Sequence, residues 1–251
     1  MSRSDPRDGV GRGSAPAFYA LRPGGWRDYV TLLHLPYTAW HLSYVVVGGC
    51  LAAVVDWPTL AWTVLAFALA MGVGAHALDE LSGRPLGTEI PSRVLVGLAI
   101  GSVAAASVMG IVVALERTLW IIPLVAVGAA LVPVYNLELL GGRVHTDLGF
   151  ALAWGAFPLL TAYVAQTGTL GLEAGLAAVW ATLLSLAQRR LSSPVRRLRR
   201  DVASIEGRLL LADGTHEPLE RARLTEPAES ALRLLAASAV LLGAALVALR
   251  V

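Results

Sequence analysis

The chain is 251 residues long, 56% hydrophobic and only 15% charged, with a formal net charge of +2 and a mean hydropathy of +0.64. A soluble domain carries roughly a quarter charged residues, so a water-soluble globular fold is excluded and an integral membrane protein is expected. All twenty basic residues are arginine, which excludes lysine Schiff-base chemistry, and the single cysteine, Cys50, excludes an intrachain disulfide and a cysteine metal cluster.

In chain order, residues 1–30 are rich in Gly, Arg and Asp and lack an apolar core, so a disordered cytosolic tail is expected rather than a cleaved signal peptide. Seven apolar segments follow that are long enough to cross a bilayer at ~20 residues each: 34–55, 59–78, 92–115, 119–135, 148–165, 170–187 and 230–249. The expected fold is all-α, a polytopic transmembrane bundle of about seven spans. Residues 31–190 form the bundle, 191–229 a cytosolic basic amphipathic segment, and 230–251 the last transmembrane helix.

With the N-terminus inside, eighteen of the twenty arginines fall on the inner side and only Arg117 and Arg250 on the outer. The positive-inside rule therefore predicts a cytoplasmic N-terminus, and a bacterial inner membrane is the expected location. Within the third inner segment, six arginines occur between Arg189 and Arg200, while Val195, Leu198, Val202, Ile205 and Leu209 recur at roughly helical spacing. That pattern predicts a basic amphipathic helix on the inner leaflet. Asp213-Gly214 between apolar runs is a turn signal for a small hairpin, and Pro227 is expected to open the last helix.

Polar chemistry collects at the inner hairpins. His76, Asp79 and Glu80 end the second apolar segment at spacings that share one helix face, and ionisable groups at a span mouth read as a site. The other inner hairpins add Arg84, Tyr135, Arg143, Gln188, Arg189 and Arg190, with Arg196 beyond them. Arginine binds phosphate bidentately, and carboxylates can hold a Mg²⁺ that bridges phosphate oxygens. An amphiphile with an anionic head and a hydrocarbon tail suits such a rim, an isoprenyl diphosphate or a phospholipid alike. His34, His41, His76 and His145 also lie toward the inner side, which leaves a metal or haem protein as a separate reading. No nucleic-acid partner is expected.

The order of these features resembles the UbiA-type intramembrane prenyltransferases over residues 30 to 200. An aspartate-bearing loop after the second span precedes Arg84-Pro-Leu-Gly-Thr, and Tyr135-Asn-Leu-Glu-Leu-Leu-Gly-Gly-Arg143 follows the fourth. Asp147-Leu-Gly-Phe-Ala-Leu-Ala-Trp-Gly-Ala-Phe-Pro158 is similar to the family's fifth helix, and His34-Leu-Pro-Tyr-Thr to the start of its first. Of the family's first Asp-rich motif only Asp79 survives, with Glu80 beside it. The second would fall near Gln188, Ser192 and Arg196, where no acid stands.

The resemblance implies prenyl transfer or terpene cyclisation on an isoprenoid diphosphate. Asp79, Glu80 and His76 would be catalytic, Asp79 and Glu80 would hold at most one Mg²⁺, and Arg84, Tyr135, Arg143, Gln188, Arg189 and Arg190 would bind substrate. The alternative on the same scaffold is a non-catalytic lipid- or quinone-binding protein or a subunit of a membrane complex.

Overall fold

The computed structural model describes residues 15–251. Eight helices account for most of it: α1 (Trp26–Leu32), α2 (Leu35–Cys50), α3 (Trp57–Leu81), α4 (Ser92–Glu116), α5 (Ile121–Asn136), α6 (Asp147–Thr167), α7 (Leu172–Arg200) and α8 (Arg221–Arg250). Between α7 and α8 sits an antiparallel hairpin of β1 (Arg208–Leu210) and β2 (His216–Pro218), with Leu209 opposite Glu217. The Asp213-Gly214 signal is its turn, closed by Asp213 accepting from the Thr215 amide and hydroxyl. Helices α3, α4, α6 and α8 are long and apolar enough to cross a membrane, and α5 is a shorter apolar helix. The chain is an integral membrane protein.

The core sits where α2, α6, α7 and α8 meet, built from Trp40, Tyr44, Leu159, Ala181, Leu232 and Ala236 among others. Trp40 donates its indole N–H to the Tyr44 hydroxyl at 2.6 Å, and Ser185 on α7 donates to the same oxygen at 3.2 Å. These polar groups are satisfied inside the apolar core, as burial requires. Helix α2 approaches α6 so closely that a Cβ on Gly48 would stand 2.1 Å from the Leu159 carbonyl oxygen. Only glycine fits there.

Both α3 and α6 widen locally into π-helix, at Ala68–Ala75 and Leu152–Ala156. In α6 the sequence supplies one reason. Pro158 has no N–H to give the Trp154 carbonyl four residues earlier, so the helical ladder is interrupted there. His41 of α2 donates Nδ1–H to that carbonyl at 2.9 Å instead.

Three boundaries differ from expectation. Residues 1–14 of the expected tail lie outside the described residues, but residues 15–30 are not a disordered tail: Trp26–Leu32 is helical. Asp28 explains the order. Its buried carboxylate accepts from the Gly24 amide and, across the chain, from the Glu89 amide, both at 2.9 Å.

The basic segment from 191 is not a separate element, since α7 runs unbroken to Arg200. Its buried stripe (Ala174, Ala178, Ala181, Ser185, Gln188, Ser192, Val195) continues at three- and four-residue steps through the point of the expected break.

The last helix begins at Arg221 rather than near 230, with Pro227 inside it. Pro227 and Arg223, whose carbonyl loses its partner, are both exposed, so water can replace the missing bond.

Candidate functional site

A cavity of about 390 Å³ opens at the arginine-rich end of the bundle. Its walls come from the start of α2 (His34, Tyr37, His41), the end of α3 (His76, Asp79), the α5–α6 connection (Tyr135, Glu138, His145) and α7 (Gln188, Arg189, Ser192, Arg196, Arg200). Met71, Phe150 and Trp154 give it an apolar side, and Pro16 to Tyr19 lie across it. Of the residues singled out from sequence, the structure brings together His76, Asp79, Tyr135, Gln188 and Arg189.

Glu80 is elsewhere. It is 0% exposed, with Oε1 accepting from the Thr88 amide and hydroxyl at 2.8 Å and Oε2 from the Leu86 amide at 3.0 Å. Both oxygens are used to fold the 82–91 loop back onto α3, so Glu80 and Asp79 do not form a chelating pair. Arg84 serves the same loop, donating to the Ile90 carbonyl at 2.5 Å and the Ser92 hydroxyl at 2.8 Å. Arg143 and Arg190 are exposed and do not line the cavity.

Among the described residues, no three His, Cys, Asp or Glu side chains converge to hold a metal, although His34, His41, His76 and His145 all reach the cavity. Asp79, Glu138 and Glu229 are the carboxylates that line the space, and they do not gather into one ligand set, so no reaction step is routed through a bound ion.

The cavity's charges are unevenly paired. Arg189 is held by Asp147 at 3.1 Å and lies 5.2 Å from the Phe150 ring centre. Arg196 donates to Ser192 and Ser193 at 3.2 and 3.1 Å but has no carboxylate within ion-pair distance among the described residues. Burial first, then the neighbouring Arg189 and Arg200 charges, pull its guanidinium below the usual range. An anion placed there would offset the repulsion among the three guanidiniums and favour the charged form of Arg196.

The Asp79 carboxylate makes no hydrogen bond or ion pair with any described residue, and it shares the cavity with Arg196. Two further groups, each 4% exposed, are orphaned: the Tyr135 hydroxyl and the Gln188 side-chain oxygen. An unpaired buried polar group costs about 1–3 kcal/mol, and several gathered at one cavity wall mark a place built to receive a polar ligand.

Aromatic rings frame the mouth. His34, in a left-handed conformation (φ 46°), stacks on His76 with ring centres 4.0 Å apart. Tyr19 packs edge-on to Tyr37 at 5.5 Å, while burial, with Tyr37 beside it, raises the Tyr19 phenol above its ordinary range. It therefore remains a hydroxyl donor at neutral pH. Arg199 and Arg200 donate to the Ala15 and Pro16 carbonyls and fasten this strap.

Sequence reasoning missed Tyr19 and Arg200. The aromatic pair Phe18-Tyr19 inside a Gly/Arg-rich stretch was the available signal for the first.

No protein-family model, curated protein or solved structure matches the chain.

Proposed function

We propose that the chain is a UbiA-like intramembrane enzyme that binds an isoprenoid diphosphate in this cavity, for prenyl transfer or terpene cyclisation. The observation that supports this most is that, among the described residues, a half-buried guanidinium with no carboxylate partner, Arg196, and a carboxylate with no partner, Asp79, share one half-apolar cavity.

In this reading the diphosphate oxygens sit on Arg196, Arg200 and Arg189, and the hydrocarbon tail lies against Met71, Phe150 and Trp154. Ionisation breaks the bond between the allylic carbon and the bridging oxygen, and the electron pair leaves with the diphosphate. Fixed guanidiniums stabilise that developing charge without reorganising. The ring faces of Trp154 and Tyr135 stabilise the allylic cation. Asp79 or His76 accepts the proton released by the acceptor or by the cyclised cation. A single Mg²⁺ on Asp79 and the phosphates would add charge neutralisation.

The same reading uses all seven apolar segments as spans. It places the N-terminus and the cavity mouth at the cytoplasmic face of a bacterial inner membrane, because the arginines gather at that end.

Purified full-length chain, incubated with labelled farnesyl and geranylgeranyl diphosphates with and without Mg²⁺, is expected to release pyrophosphate. No release at either chain length overturns the enzyme reading. The commitment of Glu80 to its loop favours the second reading, a lipid- or quinone-binding protein or complex subunit. Farnesyl diphosphate binding that Asp79→Ala leaves unchanged, with no turnover in either protein, would select it.

A further inference from the structure

Residues 15–20 are attached to the bundle at one end only. Their root is fixed: the Leu21 amide donates to the Thr31 hydroxyl at 3.0 Å and the Gly24 amide to the Asp28 carboxylate at 2.9 Å. Ahead of that root the Ala20 amide donates to the Ala17 carbonyl at 3.1 Å, so the segment closes on itself as a turn. Among the described residues, no backbone–backbone hydrogen bond joins 15–20 to a helix. Side chains hold it down instead. Arg199 and Arg200 donate to the Ala15 and Pro16 carbonyls at 3.2 and 3.4 Å, and the Arg233 guanidinium lies 4.9 Å from the Phe18 ring centre. Phe18 and Tyr19 both meet Tyr37 edge-on. A segment rooted at one end and held elsewhere by a few partly exposed contacts opens locally at low cost.

What it covers is the cavity, whose wall includes Pro16, Ala17, Phe18 and Tyr19. The Tyr19 hydroxyl makes no hydrogen bond with a described residue, and the charges of Arg200, Arg196 and Asp79 all reach its phenol. A phenol O–H beside two guanidiniums is one more donor for an anion. Arg200 links the strap to the site. Its Nε faces the Pro16 carbonyl, which leaves the rest of the guanidinium fork for the cavity. The closed strap therefore steadies Arg200 and adds Tyr19 to the same wall.

We propose that residues 15–20 are a lid, which lifts to admit a phosphate-bearing ligand and closes with the Tyr19 hydroxyl donating to it beside Arg196 and Arg200. This rests on the reading above only in taking the ligand to be an anion. Closure excludes water from the anion, which strengthens each of its contacts with the guanidiniums.

The test uses the full chain in nanodiscs with the single native thiol removed (Cys50→Ala) and Ser192→Cys placed in the cavity wall. The rate at which an anionic methanethiosulfonate modifies that thiol reads lid opening. Phe18→Ala is expected to speed modification about tenfold. Arg233→Gln, which leaves the strap itself intact, is expected to speed it about two- to fivefold. Saturating inorganic pyrophosphate slows it in the parent protein. By calorimetry, Tyr19→Phe is expected to weaken binding of inorganic pyrophosphate and of farnesyl diphosphate about tenfold or more, with an unchanged melting temperature.

Equal modification rates in the parent, Phe18→Ala and Arg233→Gln proteins overturn the lid. Farnesyl diphosphate binding that Tyr19→Phe leaves unchanged also overturns the inference, while the isoprenoid reading stands. Tyr19-dependent binding of pyrophosphate without binding of farnesyl diphosphate supports the lid and removes the isoprenoid reading. Binding of neither probe overturns both.

Discussion

The two ends of the bundle treat polar groups in opposite ways. At the end away from the cavity, Asp56 accepts from the Thr59 amide at 2.9 Å and faces Arg117 at 3.3 Å. Gln166 clasps the Asp56 backbone from both sides, accepting from its amide at 2.8 Å and donating to its carbonyl at 3.0 Å. The Asp56 carboxylate and the Gln166 side chain are both fully engaged. At the cavity end the side chains of Asp79, Tyr135 and Gln188 keep polar atoms without partners among the described residues. A chain that can close one end this well has the means to close the other. The orphaned groups are a standing cost in stability, as expected of residues held ready for a ligand.

The largest way to break this contrast is to remove the unpaired cation. Arg196→Ala is expected to lower pyrophosphate release about 10²–10³-fold while leaving the melting temperature unchanged or higher. A variant that melts lower and turns over normally would make Arg196 a structural residue.

Glu80→Ala should do the reverse. It strips three donors of their acceptor, costing about 3 kcal/mol of stability, read by chemical denaturation in detergent. Glu80→Gln, which keeps one acceptor oxygen, should lose less than the alanine variant. Gly48→Ala drives a Cβ into the Leu159 carbonyl and is expected to cost about 2 kcal/mol, which a melt of the purified protein would register.

Smaller effects sharpen the comparison. Tyr135→Phe removes an orphaned hydroxyl and is expected to stabilise the fold by about 1 kcal/mol while weakening ligand binding. Asp56→Ala, at the closed end, removes a helix cap worth about 1 kcal/mol and leaves turnover untouched.

The amide and side-chain hydrogen bonds from Thr59, ahead of Arg117, hold the Asp56 carboxyl below its ordinary value of 3.8. Because the folded pKa is the lower one, this stabilisation is complete above the ordinary value and is lost as pH falls through the folded value. Asp56→Asn should flatten that acid limb of the stability curve.

The apolar segments were legible because each helix must present a hydrocarbon surface, and hydropathy reports that directly. His76, Asp79, Tyr135, Gln188 and Arg189 could be assigned to one end, and the structure brings them to one cavity. Glu80 and Arg84 were not legible as loop-forming residues. Their partners lie six or eight positions away, across a reversal in which Arg84 itself takes a positive φ of 54°. Periodicity carries no trace of such a turn. Arg190 differs from Arg189 only by one helical step of about 100°, which sends one guanidinium into the cavity and the other to the exterior. The strap at residues 15–19 was hidden for another reason: its order comes from Arg199, Arg200 and Arg233, nearly two hundred positions away or more.

The π-helical turns set the aim of the site. A π turn holds one residue more than the α ladder around it accommodates, so everything beyond it is rotated by one step relative to everything before. His76 and Asp79 follow such a stretch in α3, and Trp154 lies within the one in α6. Deleting a single residue from Ala68–Ala75 would let α3 rewind as plain α-helix. Because the π stretch absorbs the extra residue, that deletion would leave His76 and Asp79 facing the arginines, whereas rewinding the stretch as α-helix with every residue kept would turn them away by roughly 100°. The direction in which this helix presents its chemistry is set by how this stretch winds, and it can be lost without changing any residue in the site.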